Sequence, residues 1–163
     1  MNKKNLVFCC LVLCVFAVIY VVYPGDKKQI RTHLESLAVC GSSTVAEPML
    51  ETVKKVKRAA KLCPAPFRVT FNAMEIDRDF SQKEFTDHFV MLKKKTAGTT
   101  FTFTDVSVVL GDDDTAEVQA TLLLEGKSRG DRFTDAYETL LTAEKKEGGW
   151  RFSSVKIVEF MQQ

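Results

Sequence analysis

The chain has 163 residues, 27% of them charged, and its 23 basic and 21 acidic side chains leave a formal net charge of +2. That near balance, without a basic stripe interleaved with aromatics, argues against a nucleic-acid-binding module. Five cysteines and two histidines, with no cysteine pair at zinc-ligand spacing, point to no metal centre, and no cofactor motif is present.

The chain opens with Lys3 and Lys4 ahead of an unbroken apolar run, Leu6 to Tyr23. At about 1.5 Å per residue this run reaches roughly 27 Å, near the ~30 Å hydrocarbon core of a bilayer. A cleaved secretory signal is shorter and ends in small residues, whereas this run ends Ile19-Tyr20-Val21-Val22-Tyr23-Pro24. Lipoprotein processing needs a small residue before its cysteine; Leu13 precedes Cys14 and Phe8 precedes Cys9. Residues 1–25 therefore read as an uncleaved signal anchor, a single-pass transmembrane helix with the bilayer as its partner. A short, wholly basic flank favours a cytoplasmic N-terminus, which would leave residues 26–163 outside the inner (cell) membrane, in the periplasm of a bacterium. From residue 24 to 68 there are nine basic and four acidic side chains, and from 69 to 163 twelve and seventeen, so the basic part lies nearest the headgroups.

Beyond the anchor, Asp26 is placed to cap a helix with Ile30, Leu34, Leu37 and Ala38 on one stripe, ending near Cys40-Gly41. A second helix starts around Glu47-Pro48, carries Met49, Val53, Val56, Ala60 and Cys63, and is stopped by Pro64 and Pro66. Cys40 and Cys63 each close a helix. In an antiparallel helix pair those ends are far apart, which argues against a disulfide. Phe67 to Met74 reads as one short strand. Ser81 with Glu84 forms a capping box flanked by Phe80 and Phe85 as a hydrophobic staple, opening a third helix to Lys95. Four extended runs follow. In the first, Phe101 and Phe103 lie on one phase and Val106, Val108 and Leu110 on the other, so a bulge is predicted near Asp105. Short polar turns, among them Gly111-Asp112-Asp113-Asp114 and Glu147-Gly148-Gly149, imply an antiparallel meander. The class is α+β.

This order, three helices with one short strand and then four long strands, resembles the nuclear transport factor 2-like superfamily, and most the small membrane-anchored bacterial members. The matching details are Phe80-Ser81-Gln82-Lys83-Glu84-Phe85, Phe103-Thr104-Asp105-Val106-Ser107-Val108 and Glu147-Gly148-Gly149-Trp150-Arg151-Phe152. The resemblance implies a cone-like curved antiparallel sheet, four long strands plus one short, wrapped on the three helices over residues 26–160. Its members include isomerase-like and cyclase-like enzymes, dehydratases and accessory domains, so the fold does not select a function.

No family catalytic motif matches position by position. The candidates for acid–base chemistry are His88, which shares a helix face with Phe85, Phe89 and Leu92, His33 among Ile30, Leu34 and Leu37, and Asp105 at the bulge; Asp135 and Tyr137 lie on strands. Phe71, Phe89, Phe101, Phe103 and Tyr137 are the candidate lining of a pocket. Asp112 to Asp114 read as turn chemistry. Trp150, Phe152, Val158 and Phe160 share one phase of the last run while Val155 and Ile157 occupy the other, which suggests an outer face covered by a homodimer mate or an envelope protein. A non-enzymatic interaction module is therefore favoured over an isomerase or hydratase-like enzyme or a binder of an apolar ligand in the cone. The anchor predicts that the full-length chain sediments with membranes and is released by detergent but not by high salt; recovery in the soluble fraction would overturn it.

Overall fold

The computed structural model describes residues 25–128 and 131–159. The apolar run 6–23, with Cys9, Cys10 and Cys14, lies outside these residues, as does Phe160. Among the described residues no helix is long and apolar enough to cross a membrane.

Helix α1 (Asp26–Gly41) buries Ile30, Leu34 and Ala38, the stripe that its periodicity predicts. Asp26 is not its cap. Gly25 holds that position, and the Asp26 carboxylate instead accepts hydrogen bonds from Trp150 Nε1 at 2.9 Å and Lys145 Nζ at 3.2 Å. Those bonds, Trp150's first, hold this carboxyl below its usual range and tie the start of α1 to the last hairpin. Helix α2 (Met49–Leu62) buries Val56, Ala59 and Leu62, while Met49, Leu50 and Val53 at its start stand exposed. Only its C-terminal half packs.

A single strand over 67–74 is expected, but the chain makes a hairpin there: β1 (Phe67–Phe71), a 3₁₀ turn at Asn72–Met74 and β2 (Ile76–Phe80). The second strand escapes the alternation rule because Asp77, Arg78 and Asp79 separate its two apolar ends. It is held by register with β1 and by Arg68 on Asp77 at 3.0 Å. Helix α3 (Gln82–Lys95) carries the capping box as predicted, with Ser81 N donating to Glu84 Oε2 at 2.9 Å and Glu84 N to Ser81 Oγ at 3.3 Å. The staple residues Phe80 and Phe85 both enter the core.

Strands β3 (Thr100–Leu110), β4 (Thr115–Ser128), β5 (Asp131–Lys146) and β6 (Gly149–Glu159) form the meander. The sheet order is β2-β1-β6-β5-β4-β3, and β1 runs parallel to β6. The sheet is thus mixed and six-stranded, not antiparallel with four long strands and one short. The expected bulge is present: register slips between Thr104 and Ser107, and Asp105 has φ 52°. Aspartate tolerates that left-handed geometry better than most residues. Arg31 of α1 donates to the Val106 carbonyl at 2.6 Å.

A second bulge was not read from the sequence, and it overturns the outer-face assignment. Thr142 pairs with Ser154 but Ala143 with Phe152, so Ser153 is an extra residue that reverses the side-chain phase of β6. Trp150 and Phe152 before it, and Val155 and Ile157 after it, all face inward. Trp150 and Phe152 are 3% and 1% exposed and belong to the core. Of the expected outer-face set only Val158, 43% exposed, is confirmed in solvent.

One polar cluster locks the helices together. Lys93 of α3 is buried and donates to Cys40 O at 3.0 Å and Ser42 O at 2.8 Å, satisfying carbonyls at the end of α1. It also pairs with Glu47 at 3.1 Å, and Glu47 is held by Lys55 as well. Burial raises the Glu47 pKa, but hydrogen bonds from Lys55, Lys93 and Thr52 outweigh it and keep the carboxyl below its ordinary value. Cys40 and Cys63 are both free and buried. Their helix ends are not far apart as expected: Cys40 and Cys63 belong to one buried core cluster, and burial pushes both thiols up, Cys63 the further.

Two predictions follow from the packing. Phe152→Ala destabilises the domain by about 3–5 kcal/mol in denaturant unfolding, whereas Val158→Ser stays within about 0.5 kcal/mol. Glu47→Ala, which strands Lys93 without its counter-ion, costs about 3 kcal/mol. Because the folded pKa of Glu47 lies below the ordinary 4.5, its contribution is complete above that pH and fades as pH falls through the lower folded value; Glu47→Gln removes that acid sensitivity.

Candidate functional site

The concave face of the sheet is wider than the helices that cover it, and a cavity of about 450 Å³ remains between α1, α3 and the strands. Leu37, Ala38 and Gly41 of α1 form one wall, with Phe85 and Phe89 of α3 beside them. Gly41 gives the Phe101 ring a close approach, since a Cβ there would sit 3.3 Å from the ring that lies across the helix end. Phe101 and Phe103 of β3, Leu122 of β4, Leu141 of β5 and Val155 and Ile157 of β6 make the sheet side. Phe85 stacks on Phe89 with centroids 5.6 Å apart and meets Phe67 edge-on at 5.4 Å, so the aromatic wall is rigid.

Polar groups are few. Thr139 is buried against the cavity, but its hydroxyl donates to the Ala120 carbonyl at 2.8 Å. The rim is formed by exposed lining residues: Met74, Met91 and Leu92, with His88 and Lys95. Among the described residues that line the cavity there is no aspartate, glutamate or tyrosine.

The predicted site residues therefore divide. His88 lines the cavity at its mouth; its Nδ1 lies 2.8 Å from the Glu84 carbonyl, which requires a donor and so assigns the proton to that nitrogen. His33 lies on the other side of α1, with Nδ1 2.9 Å from the Trp150 carbonyl, outside the cavity. Asp105 is exposed at its bulge, where it accepts from Thr104 Oγ1 at 3.2 Å, and Asp135 does not line the cavity either. Phe89, Phe101 and Phe103 line it as expected. Phe71 and Tyr137 do not; they meet edge-on at 6.1 Å beside it. Asp112 to Asp114 are exposed in the β3–β4 turn, and among the described residues no group of His, Cys, Asp and Glu could hold a metal ion. Sequence reasoning missed Lys95, Met74 and Met91 at the rim. Met91 and Lys95 are four residues apart on α3, a spacing that places them on one face with each other.

No family model matches the sequence, and no curated protein matches it. Solved structures do. A nuclear transport factor 2-like protein with a cystatin-like fold from Novosphingobium aromaticivorans superposes with a TM-score of 0.65 at 10% identity, over 99% of this chain and 92% of that one. The chain has the nuclear transport factor 2-like fold. A scytalone dehydratase candidate from the same organism gives 0.66 at 12% identity, over 83% and 85% of the two chains. The CamKII hub homology domain of Chlamydomonas reinhardtii gives 0.61 at 16%, over 82% and 97%. Nuclear transport factor 2-like cones thus carry very different names, and the side chains in this one must decide its role.

His33 supplies a pH test of the helix–sheet contact. Burial lowers its pKa first, with Arg151 and Arg58 adding to it and the Trp150 hydrogen bond opposing. Its folded pKa is below the ordinary 6.5, so stability is complete above that pH and declines as pH falls through the lower value. The melting temperature falls between about pH 7.5 and 5.5, and His33→Gln flattens that decline.

Proposed function

We propose that this chain is a membrane-tethered, non-enzymatic receptor for a small apolar molecule bound inside the cone. The observation that carries this reading is the cavity of about 450 Å³, inside the ~300–1,000 Å³ range of small-molecule sites, whose one deep polar group is already spent on a backbone carbonyl. The apolar run 6–23 supports the tether. Dehydratase or isomerase chemistry asks for a base and a proton donor converging on the substrate. His88 alone lines the cavity, and Asp105 and His33 are elsewhere, so binding is favoured over catalysis.

A second reading, self-association through the outer face of the sheet, draws support from exposed Val109, Leu140 and Val158. It is the weaker, because the register sets Glu117, Gln119 and Glu138 directly beside them. Light scattering separates a dimer from a monomer at tens of micromolar.

The receptor reading is tested with a neutral diazirine-bearing dodecanol on the full chain in phosphatidylcholine nanodiscs. Crosslinks are expected on peptides of α3 and β4, saturating at one equivalent. Leu122→Trp, which fills the cavity, is expected to raise the half-saturating concentration roughly tenfold, about 1.4 kcal/mol, with circular dichroism unchanged. Labelling insensitive to Leu122→Trp, or absent from these peptides, would overturn the reading.

A further inference from the structure

The cavity has two chemically different ends. Its walls are apolar apart from the buried Cys63 and Thr139, and the basic residues that line it, His88 and Lys95, sit at the rim. Acidic groups nearby are already engaged. Glu84 accepts from Ser81 at 2.7 Å and faces Arg78 at 4.0 Å, Asp87 holds Lys83 at 2.7 Å, and Asp77 holds Arg68 at 3.0 Å. Glu75 is exposed in the β1–β2 turn and does not line the cavity. Lys95 has no ion-pair partner among the described residues, and its neighbour Lys94 is also exposed. His88 spends its Nδ1 proton on the Glu84 carbonyl, which leaves Nε2 as an acceptor and Lys95 as the donor to an anionic head. Around Lys95 and His88 stand Met74, Met91 and Leu92, exposed by 66%, 45% and 40%. Flexible apolar side chains in solvent at a mouth extend the apolar path outward and adapt to a chain passing through them.

We infer that the occupant is an anionic amphiphile: an acyl chain lying in the cavity with a carboxylate or phosphate head at the rim, on Lys95. This inference rests on the receptor reading and adds the charge of the head. A neutral head gains nothing from Lys95, and a cationic head is repelled. Because the rim is solvated, the charge contributes selectivity more than affinity, on the order of a few-fold.

The test uses the full chain in phosphatidylcholine nanodiscs and three diazirine probes of one chain length: dodecanoate, dodecanol and dodecylamine. Dodecanoate is expected to label the α3 and β4 peptides at about fivefold lower concentration than dodecanol, with dodecylamine weakest. Lys95→Ala closes the gap between dodecanoate and dodecanol, and Lys95→Glu places dodecylamine ahead; Lys95 is exposed, so neither change disturbs the core. Unlabelled dodecanoate and a lysophosphatidylglycerol of matched chain, used as competitors, identify whether a free acid or a lipid headgroup is preferred, and competition by either supports the inference. Equal labelling by all three heads, unchanged in Lys95→Ala, overturns it while leaving the receptor reading intact. Labelling of those peptides by none of them overturns both.

Discussion

Two single-residue bulges, at Asp105 in β3 and Ser153 in β6, govern the rest of this structure. Side chains alternate along a strand with a period of two, so one inserted residue moves every later side chain to the opposite face. Without the slip at Asp105, Phe101 and Phe103 would share the concave face with Ser107 and Val109, and Val106 and Val108 would face solvent. Were Ser153 paired regularly and not bulged, Val155 and Ile157 would leave the core that Trp150 and Phe152 enter. Bulges also bend and twist the strand that carries them. The same two residues therefore bring the apolar side chains onto one face and curve that face into a hollow.

A hollow sheet needs a cover, and three helices supply it incompletely. α1 lies along the concave face, fixed at its start by Asp26 on Trp150 and Lys145 and at its end by Lys93 reaching its last carbonyls. α3 is tied to the end of α1 through the Lys93–Glu47–Lys55 cluster. The space left between them is lined by aliphatic side chains and by aromatic rings that meet both stacked and edge-on. A buried ion cluster does not add stability cheaply. Its place here is to fix where α3 ends, and hence where Lys95 and Met91 stand at the mouth.

The functional reading follows from what the cavity lacks as much as from what it holds. Nuclear transport factor 2-like cones support unrelated roles because the pocket floor can be refitted without disturbing the sheet. In this chain Thr139 is turned to a backbone carbonyl and the strand aspartates lie outside the pocket. What remains is an apolar container with a basic mouth, the geometry on which the proposed binding role rests.

The helices, the capping box, the bulge at Asp105 and the phenylalanines of β3 were legible in the sequence, because each is a local pattern: a period, a cap, a phase slip between apolar residues. The strand Ile76–Phe80 was not, since its charged centre pairs only because β1 lies beside it. Ser153 hid for a related reason: its flanking residues are apolar on both phases, which read as two faces when it was one face interrupted. Lys93 follows Phe85 and Phe89 on the same helical stripe, a signal of burial that its setting in a lysine triplet obscured. Apart from Ile76–Phe80, the amino-acid order by itself determined which segments coil and which extend, because those choices rest on neighbours within a few residues. Which face each strand turned inward, whether Cys40 and Cys63 approached, and whether the cone was filled or hollow were decided by contacts between residues tens of positions apart, and only the assembled tertiary structure brings those together.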